Sequence, residues 1–138
     1  MKTVLLFGTF DFLHSGHLHV FMEAKELGDR LFVSVASDAA VQEIKGNAPI
    51  HTQQERLSLV QHIDIVDTAF IGDETLGSYS FFAEFVPDVI ALGHDQSGLE
   101  KNILSFIQKH GYQTKLVSLS RYKDGVTRSS TIKANLGI

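Results

Sequence analysis

An apolar run at residues 4–7 leads directly into Gly8-Thr9-Phe10-Asp11-Phe12-Leu13-His14-Ser15-Gly16-His17, and behind these residues apolar side chains recur at helical spacing. A strand that turns into a helix over so few residues is the opening of a βα unit, which commits the chain to an α/β architecture. Such a junction also has a chemical character. The exposed amides of a helix N-terminus attract anions, and the strand delivers a ligand to the carboxyl edge of the sheet. Two histidines at that place add imidazole donors able to follow charge as it develops on a phosphoryl oxygen.

Further apolar runs at residues 31–36, 68–71, 89–92 and 115–119 alternate with segments of helical character, the pattern of βα units feeding a parallel sheet. Leu18, Phe21, Met22, Ala24 and Leu27 form an apolar stripe with Gly28 as its stop, predicting a first helix over 15–27. Asp38 is placed to cap a short helix through residue 44. Pro49 breaks the pattern, and further helices are predicted over 53–62, 78–85, 99–110 and 129–136. With right-handed crossovers these elements form one domain over residues 1–138, a Rossmann-like, doubly wound, parallel five-stranded sheet. Its carboxyl edge would collect residues 8–17, Ser37 and Asp38, Gly72, residues 93–96 and the chain from Ser120 onward.

Composition narrows the function. With 138 residues, 43% of them hydrophobic, the chain supports one full core and not two. It has no cysteine, which removes disulfides, thiolate catalysis and Cys-ligated zinc and accords with a cytoplasmic location. No signal peptide is evident and no apolar stretch is long enough to span a bilayer. A formal charge of -4 without a Lys/Arg block argues against a nucleic-acid face. Arg121, Lys123, Arg128 and Lys133 instead read as a local anion site.

Gly-Thr-Phe-Asp followed by two apolar residues and His-x-Gly-His resembles the signature of the cytidylyltransferase-like nucleotidyltransferase superfamily. That resemblance implies transfer of a nucleoside monophosphate from an NTP to a phosphorylated acceptor, with release of pyrophosphate. By it His14 and His17 lie at the α- and β-phosphates and stabilise the transition state, a role for preorganised donors. Simple helix capping is the alternative for His17, and His19 reads as helix surface. Gly8 and Gly16 would let the backbone approach the nucleotide, Thr9 and Phe10 would offer amides, and Asp11 would either sit near the nucleotide and its Mg²⁺ or fix the loop by hydrogen bonding. Lys45, between Ile44 and Gly46 ahead of Pro49, matches a lysine that reaches over the triphosphate or acceptor phosphate from a mobile loop, with an ordinary solvated surface lysine as the alternative. Arg56 matches an arginine at the start of the following helix, whose planar fork suits the acceptor's phosphate, with a helix-surface ion pair as the alternative. Near the end, Arg128, Ser129, Ser130 and Thr131 resemble the terminal hydroxyl-rich motif that contacts phosphate oxygens at a helix start; a capping box is the alternative, weakened because Ser129 to Ile132 lacks the Glu or Gln expected three residues after the cap.

The segment Leu92-Gly93-His94-Asp95-Gln96 bears on which nucleotide and which acceptor. It resembles the Leu-Gly-x-Asp-Gln stretch of archaeal-type FAD synthases, placing Gly93 and Asp95 at the nucleotide. Glycerol-3-phosphate cytidylyltransferases usually carry Gly-Asp-Asp-Trp there and end in Arg-Thr-Glu-Gly-Ile-Ser-Thr, whereas here Arg121 is followed by Tyr122-Lys123-Asp124-Gly125. The expected reaction is therefore ATP + FMN giving FAD, with a CTP-dependent transferase acting on glycerol 3-phosphate or a similar small phosphorylated alcohol as the alternative. Phe81, Phe82 and Phe85 could form a platform for a flavin ring but have the spacing of core residues. A non-catalytic nucleotide-binding module would also keep the glycines and Ser129 to Thr131, but the presence of both histidines favours an enzyme. Mg²⁺ is expected with the NTP, held mainly by phosphates and water; no all-protein metal site is visible. The resemblance also implies a homodimer as one of the forms open to the chain, with no interface legible in the residues.

Overall fold

The computed structural model describes residues 1–93 and 96–119. Five strands, β1 (Thr3–Gly8), β2 (Arg30–Val35), β3 (Thr68–Ile71), β4 (Val89–Leu92) and β5 (Lys115–Ser118), pair in parallel in the order β3-β2-β1-β4-β5. The connecting helices are α1 (Ser15–Lys25), α2 (Asp38–Lys45), α3 (Gln53–Gln61) and α4 (Ser97–His110). The chain winds outward from β1 through β2 to β3 and then crosses back to β4. The strand order thus reverses between β1 and β4, where a doubly wound sheet opens a crevice at its carboxyl edge.

Alternation along the strands builds a core on each face, because successive side chains point to opposite sides. Val4 and Leu6 of β1 join Leu31, Val33 and Val35 of β2 and Val89 of β4 against Phe21 and Ala24 of α1 and Val60 of α3. Leu5, Ile90 and Leu92 face the other way, onto Phe81, Phe82 and the α4 residues Ile103 and Ile107. Burial on both faces is what makes these strands read as continuous apolar runs.

The element boundaries differ from the sequence expectation at three instructive points. Ser37, not Asp38, caps α2: its hydroxyl accepts the Ala40 N–H at 3.1 Å, leaving the Asp38 carboxylate to bind Arg56. Helix α1 ends at Lys25, and Gly28 is required for a different reason from a left-handed cap. A Cβ there would lie 2.8 Å from both the Lys2 carbonyl oxygen and Val4 Cγ2, so the residue has to be small where the chain crosses the start of β1. The helix expected over 78–85 is a single 3-10 turn, Ser80–Ala83. Tyr79 is left-handed (φ 43°, ψ 51°), which an α-helix cannot contain, and Asp73 captures the Ser80 N–H at 2.8 Å together with the Ser78 and Ser80 hydroxyls. The helix expected over 129–136 lies outside the described residues. Among the described residues no helix is long and apolar enough to cross a membrane.

Candidate active site

The crevice at the carboxyl edge is a cavity of about 1010 Å³, at the upper end of the range for small-molecule sites. Gly8, Thr9, Phe10, Asp11, His14, Gly16 and His17 line it from the β1–α1 junction, and Lys45, Gly72, Gly93 and Gln96 from the other loops. Ser37 and Asp38, expected on this edge, are turned to capping and to Arg56 instead.

The two histidines brace each other. His14 is the N-cap of α1, and its Nδ1 accepts the Gly16 N–H at 3.0 Å; the His14 N–H is in turn donated to His17 Nδ1 at 3.2 Å. A neutral imidazole that accepts at Nδ1 carries its proton on Nε2. Both rings, 4.2 Å apart between centroids, are therefore held as Nε2–H donors. The expected alternatives, capping and phosphate contact, are divided between the two nitrogens: capping takes Nδ1 and leaves Nε2. For His14 that Nε2 is buried without a hydrogen-bond partner among the described residues, a donor lacking an acceptor. Burial lowers the pKa of His14 from its ordinary 6.5, and protonation at Nδ1 would also displace the Gly16 amide. His14 is thus a neutral donor rather than a cation at pH 7.

Around this pair the loop is tightly built. The Phe10 ring lies over Gly8, where a Cβ would come within 2.4 Å of Cζ, and packs edge-on against His17 and beside Phe21. Gly8 therefore makes room for Phe10, not directly for a ligand. Gly16 lines the cavity with its amide engaged by His14. Asp11 is 1% exposed and fixes a loop: it accepts the Ile50 N–H at 2.7 Å and the His51 N–H at 3.1 Å, with the His51 ring nitrogen also at 3.1 Å.

Lys45 is the last residue of α2, exposed at the cavity rim and followed by left-handed Gly46. Arg56 departs from the expectation most. It is 0% exposed, and its guanidinium donates to the carbonyls of Thr9, Ala36 and His51 and to the Asp38 carboxylate. Neither an acceptor phosphate nor a surface ion pair fits a side chain so enclosed. His94, Asp95, Arg121, Lys123, Arg128, Ser129, Ser130, Thr131 and Lys133 lie outside the described residues.

Apart from Phe81, the opposite wall was not read from the sequence. Phe70, Tyr79, Phe81 and Leu99 give the cavity an apolar flank on the face of the sheet covered by α4, with Ile71 and Leu76 adding to its apolar lining, whereas the histidines rise from α1 on the other face. Tyr79 is half-buried, its phenol pushed above its usual pKa by burial, and its hydroxyl donates to Asn102 Oδ1 at 2.5 Å. Asp73 shapes the loop that carries this wall. Burial opposes its charge, but hydrogen bonds from Ser78 and Ser80 outweigh it and hold the carboxyl below its ordinary value. The signal was the polar, glycine-containing stretch after β3, Asp73 to Ser78. Of the phenylalanines considered as a platform, Phe82 and Phe85 belong to the core and only Phe81 reaches the cavity. Gln96 joins the loop after β4 to β1, accepting the Gly93 N–H at 2.8 Å and donating to the Phe7 carbonyl at 3.2 Å.

Known proteins resemble this chain in sequence and fold. A protein of Thermoplasma volcanium described as FAD synthase is 37% identical over 136 residues, 99% of this chain and 94% of that protein. One of Thermococcus sibiricus with the same description is 36% identical over 126 residues, 91% of this chain and 85% of that protein. Among solved structures, that of the lipopolysaccharide core biosynthesis protein from Thermoplasma volcanium matches with a TM-score of 0.81 and 39% identity, covering 88% of this chain and 98% of that one. Pantothenate synthetase from Thermus thermophilus, at 17% identity and a TM-score of 0.58 over 94% of this chain and 60% of its own, shares the fold. The cytidylyltransferase-like family model matches residues 5–132. With that match, the parallel sheet and the paired histidine donors at its switch point, the chain belongs to the cytidylyltransferase-like family and is a nucleotidyltransferase.

Proposed function

We propose that the protein is an FMN adenylyltransferase, forming FAD and pyrophosphate from ATP and FMN. The observation that carries this reading is the two-sided cavity, with uncharged imidazole donors on one flank and an apolar, aromatic flank across from them. The relatives described as FAD synthases support it. Such a site accepts one substrate by its phosphates and another by a large planar ring.

The FMN phosphate oxygen attacks the α-phosphorus of ATP in line, the P–O bond to the β-phosphate breaks, and pyrophosphate leaves with the electron pair. The enzyme has to align two polyanions and stabilise charge on the nonbridging oxygens. His14 and His17 do this as Nε2–H donors without giving up a proton. Lys45 swings on Gly46 to neutralise the phosphates. Gly93 and Asp95 border the nucleotide, and Arg128 with Ser129, Ser130 and Thr131 holds the departing phosphates. The flavin ring lies against Tyr79, Phe70 and Leu76. The described residues contain no group of three or more His, Asp or Glu arranged for a metal ion, and both Asp11 oxygens are engaged. This donor set fits Mg²⁺ arriving on the triphosphate and held by phosphate oxygens and water, where it would supply further charge neutralisation. A cytoplasmic homodimer with neither nucleic-acid nor membrane partners completes the reading.

The test is pyrophosphate release with Mg²⁺ from ATP or CTP against FMN, glycerol 3-phosphate and 4′-phosphopantetheine, with His17→Ala as the blank. Release from ATP with FMN, lost in the blank, is the expected result. Release confined to CTP with glycerol 3-phosphate would move the assignment to a cytidylyltransferase, and silence throughout would favour a binding module.

A further inference from the structure

Arg56 is the largest fully buried side chain among the described residues, and a buried guanidinium is retained only where its hydrogen bonds are well satisfied. Its Nη1 donates to the Thr9 carbonyl at 2.8 Å and the Ala36 carbonyl at 2.7 Å, its Nε to the His51 carbonyl at 3.1 Å, and its Nη2 to Asp38 at 2.7 Å. Three of the four acceptors are neutral backbone groups, and the fourth belongs to a carboxylate that is 43% exposed. The arrangement is less an ion pair than a rigid fork joining three segments: the β1–α1 loop, the end of β2 and the chain ahead of α3.

Asp11 makes a second tie between two of the same segments, through the amides of Ile50 and His51, and Phe12 lies edge-on to the His51 ring at 5.5 Å. The loop so tied is strained. Phe10 and Phe12 both have φ of 57°, a left-handed conformation that bulky residues adopt only where the surroundings over-determine it. The residues between these two ties and α1 are the ones that carry His14 into the cavity.

We propose that Arg56 is a positioning residue for nucleotidyl transfer: its buried fork, with Asp11, locks residues 9–12 and 50–51 into one unit that fixes where the His14 and His17 donors stand. This rests on the adenylyltransferase reading for its kinetic part only.

The experiment compares wild type, Arg56→Lys and Asp11→Asn in two measurements, steady-state FAD formation and amide hydrogen exchange of the substrate-free protein. In Arg56→Lys, kcat falls about 10²-fold, as for an ångström-scale misplacement, while KM for FMN and for ATP stays within about threefold. The amides of Ile50 and His51 exchange faster together with those of residues 9–12, and those of Ile103 and Ile107 stay protected. Asp11→Asn shows the same split in weaker form, and decides the matter if Arg56→Lys does not fold. A selective rise of about tenfold or more in KM for FMN with kcat retained would make Arg56 an acceptor ligand and overturn the proposal. Unchanged exchange in both segments would overturn it too. If wild type forms no FAD from ATP and FMN, the adenylyltransferase reading falls, and the exchange measurement alone decides for or against the clamp.

Discussion

At the scale of the residue, His14 combines two roles that substitution can separate. Asparagine at position 14 retains a side-chain oxygen to accept the Gly16 N–H and cap α1, but places no donor where Nε2 stands. His14→Asn is expected to keep the melting temperature while kcat falls about 10²-fold; His14→Ala loses the activity and about 1 kcal/mol of stability, the usual worth of a cap. Thermal unfolding alongside FAD formation checks both. The pH dependence follows from the lowered pKa of His14, whose cause is burial. The unfolded chain binds this proton more readily than the native one, so the stability His14 contributes is present above its ordinary 6.5 and is lost as pH falls below it. Urea midpoints at about pH 7.5 and about pH 5.5 should therefore drop more in wild type than in His14→Asn. The His-x-Gly-His motif could be read from the sequence because the hydrogen bonds that brace it, from the Gly16 and His14 amides to the two Nδ1 atoms, lie within one turn of chain. The division of the His14 ring into a capping nitrogen and a donor nitrogen could not, since it depends on the orientation of the imidazole.

At the scale of the element, the central strands were legible because burial on both faces of a parallel sheet writes largely apolar runs into β1, β2 and β4, while the edge strands β3 and β5 carry shorter, partly exposed apolar stretches. Where the sequence reading failed, a tertiary contact had overruled local pattern. Phe81, Phe82 and Phe85 have helical spacing, yet the loop before them is organised by the Asp73 carboxylate and admits only a 3-10 turn. Removing that carboxylate in Asp73→Ala is expected to loosen the Tyr79 wall and raise KM for FMN about tenfold, equivalent to about 1.4 kcal/mol, with KM for ATP little changed. An equal effect on both substrates would disconnect this loop from the flavin. Gly28 stands where the pattern predicts a helix stop and is instead a point of close packing. Gly28→Ala should destabilise the protein by about 1–3 kcal/mol, the range for overpacking, measurable by denaturant titration.

At the scale of the whole molecule, the reversal of strand order between β1 and β4 gathers loops from distant parts of the chain around one cavity. A ligand that fits both flanks binds only the native state and stabilises it by mass action. FMN at a hundred times its Kd should stabilise the fold by about 2.7 kcal/mol, and glycerol 3-phosphate at equal concentration should not; a thermal-shift titration distinguishes them. By itself the sequence determined the order of βα units, the place of the histidine motif at the first junction and the family that motif resembles. These follow from periodicities and spacings within a few residues. Only the tertiary structure decided that Arg56 turns inward to three backbone carbonyls, that Asp11 binds amides 39 and 40 residues away, and that Tyr79 and Asn102 close the far wall. Periodicity reports which side of an element is apolar, whereas a buried polar group's partners depend on which elements come to lie beside it.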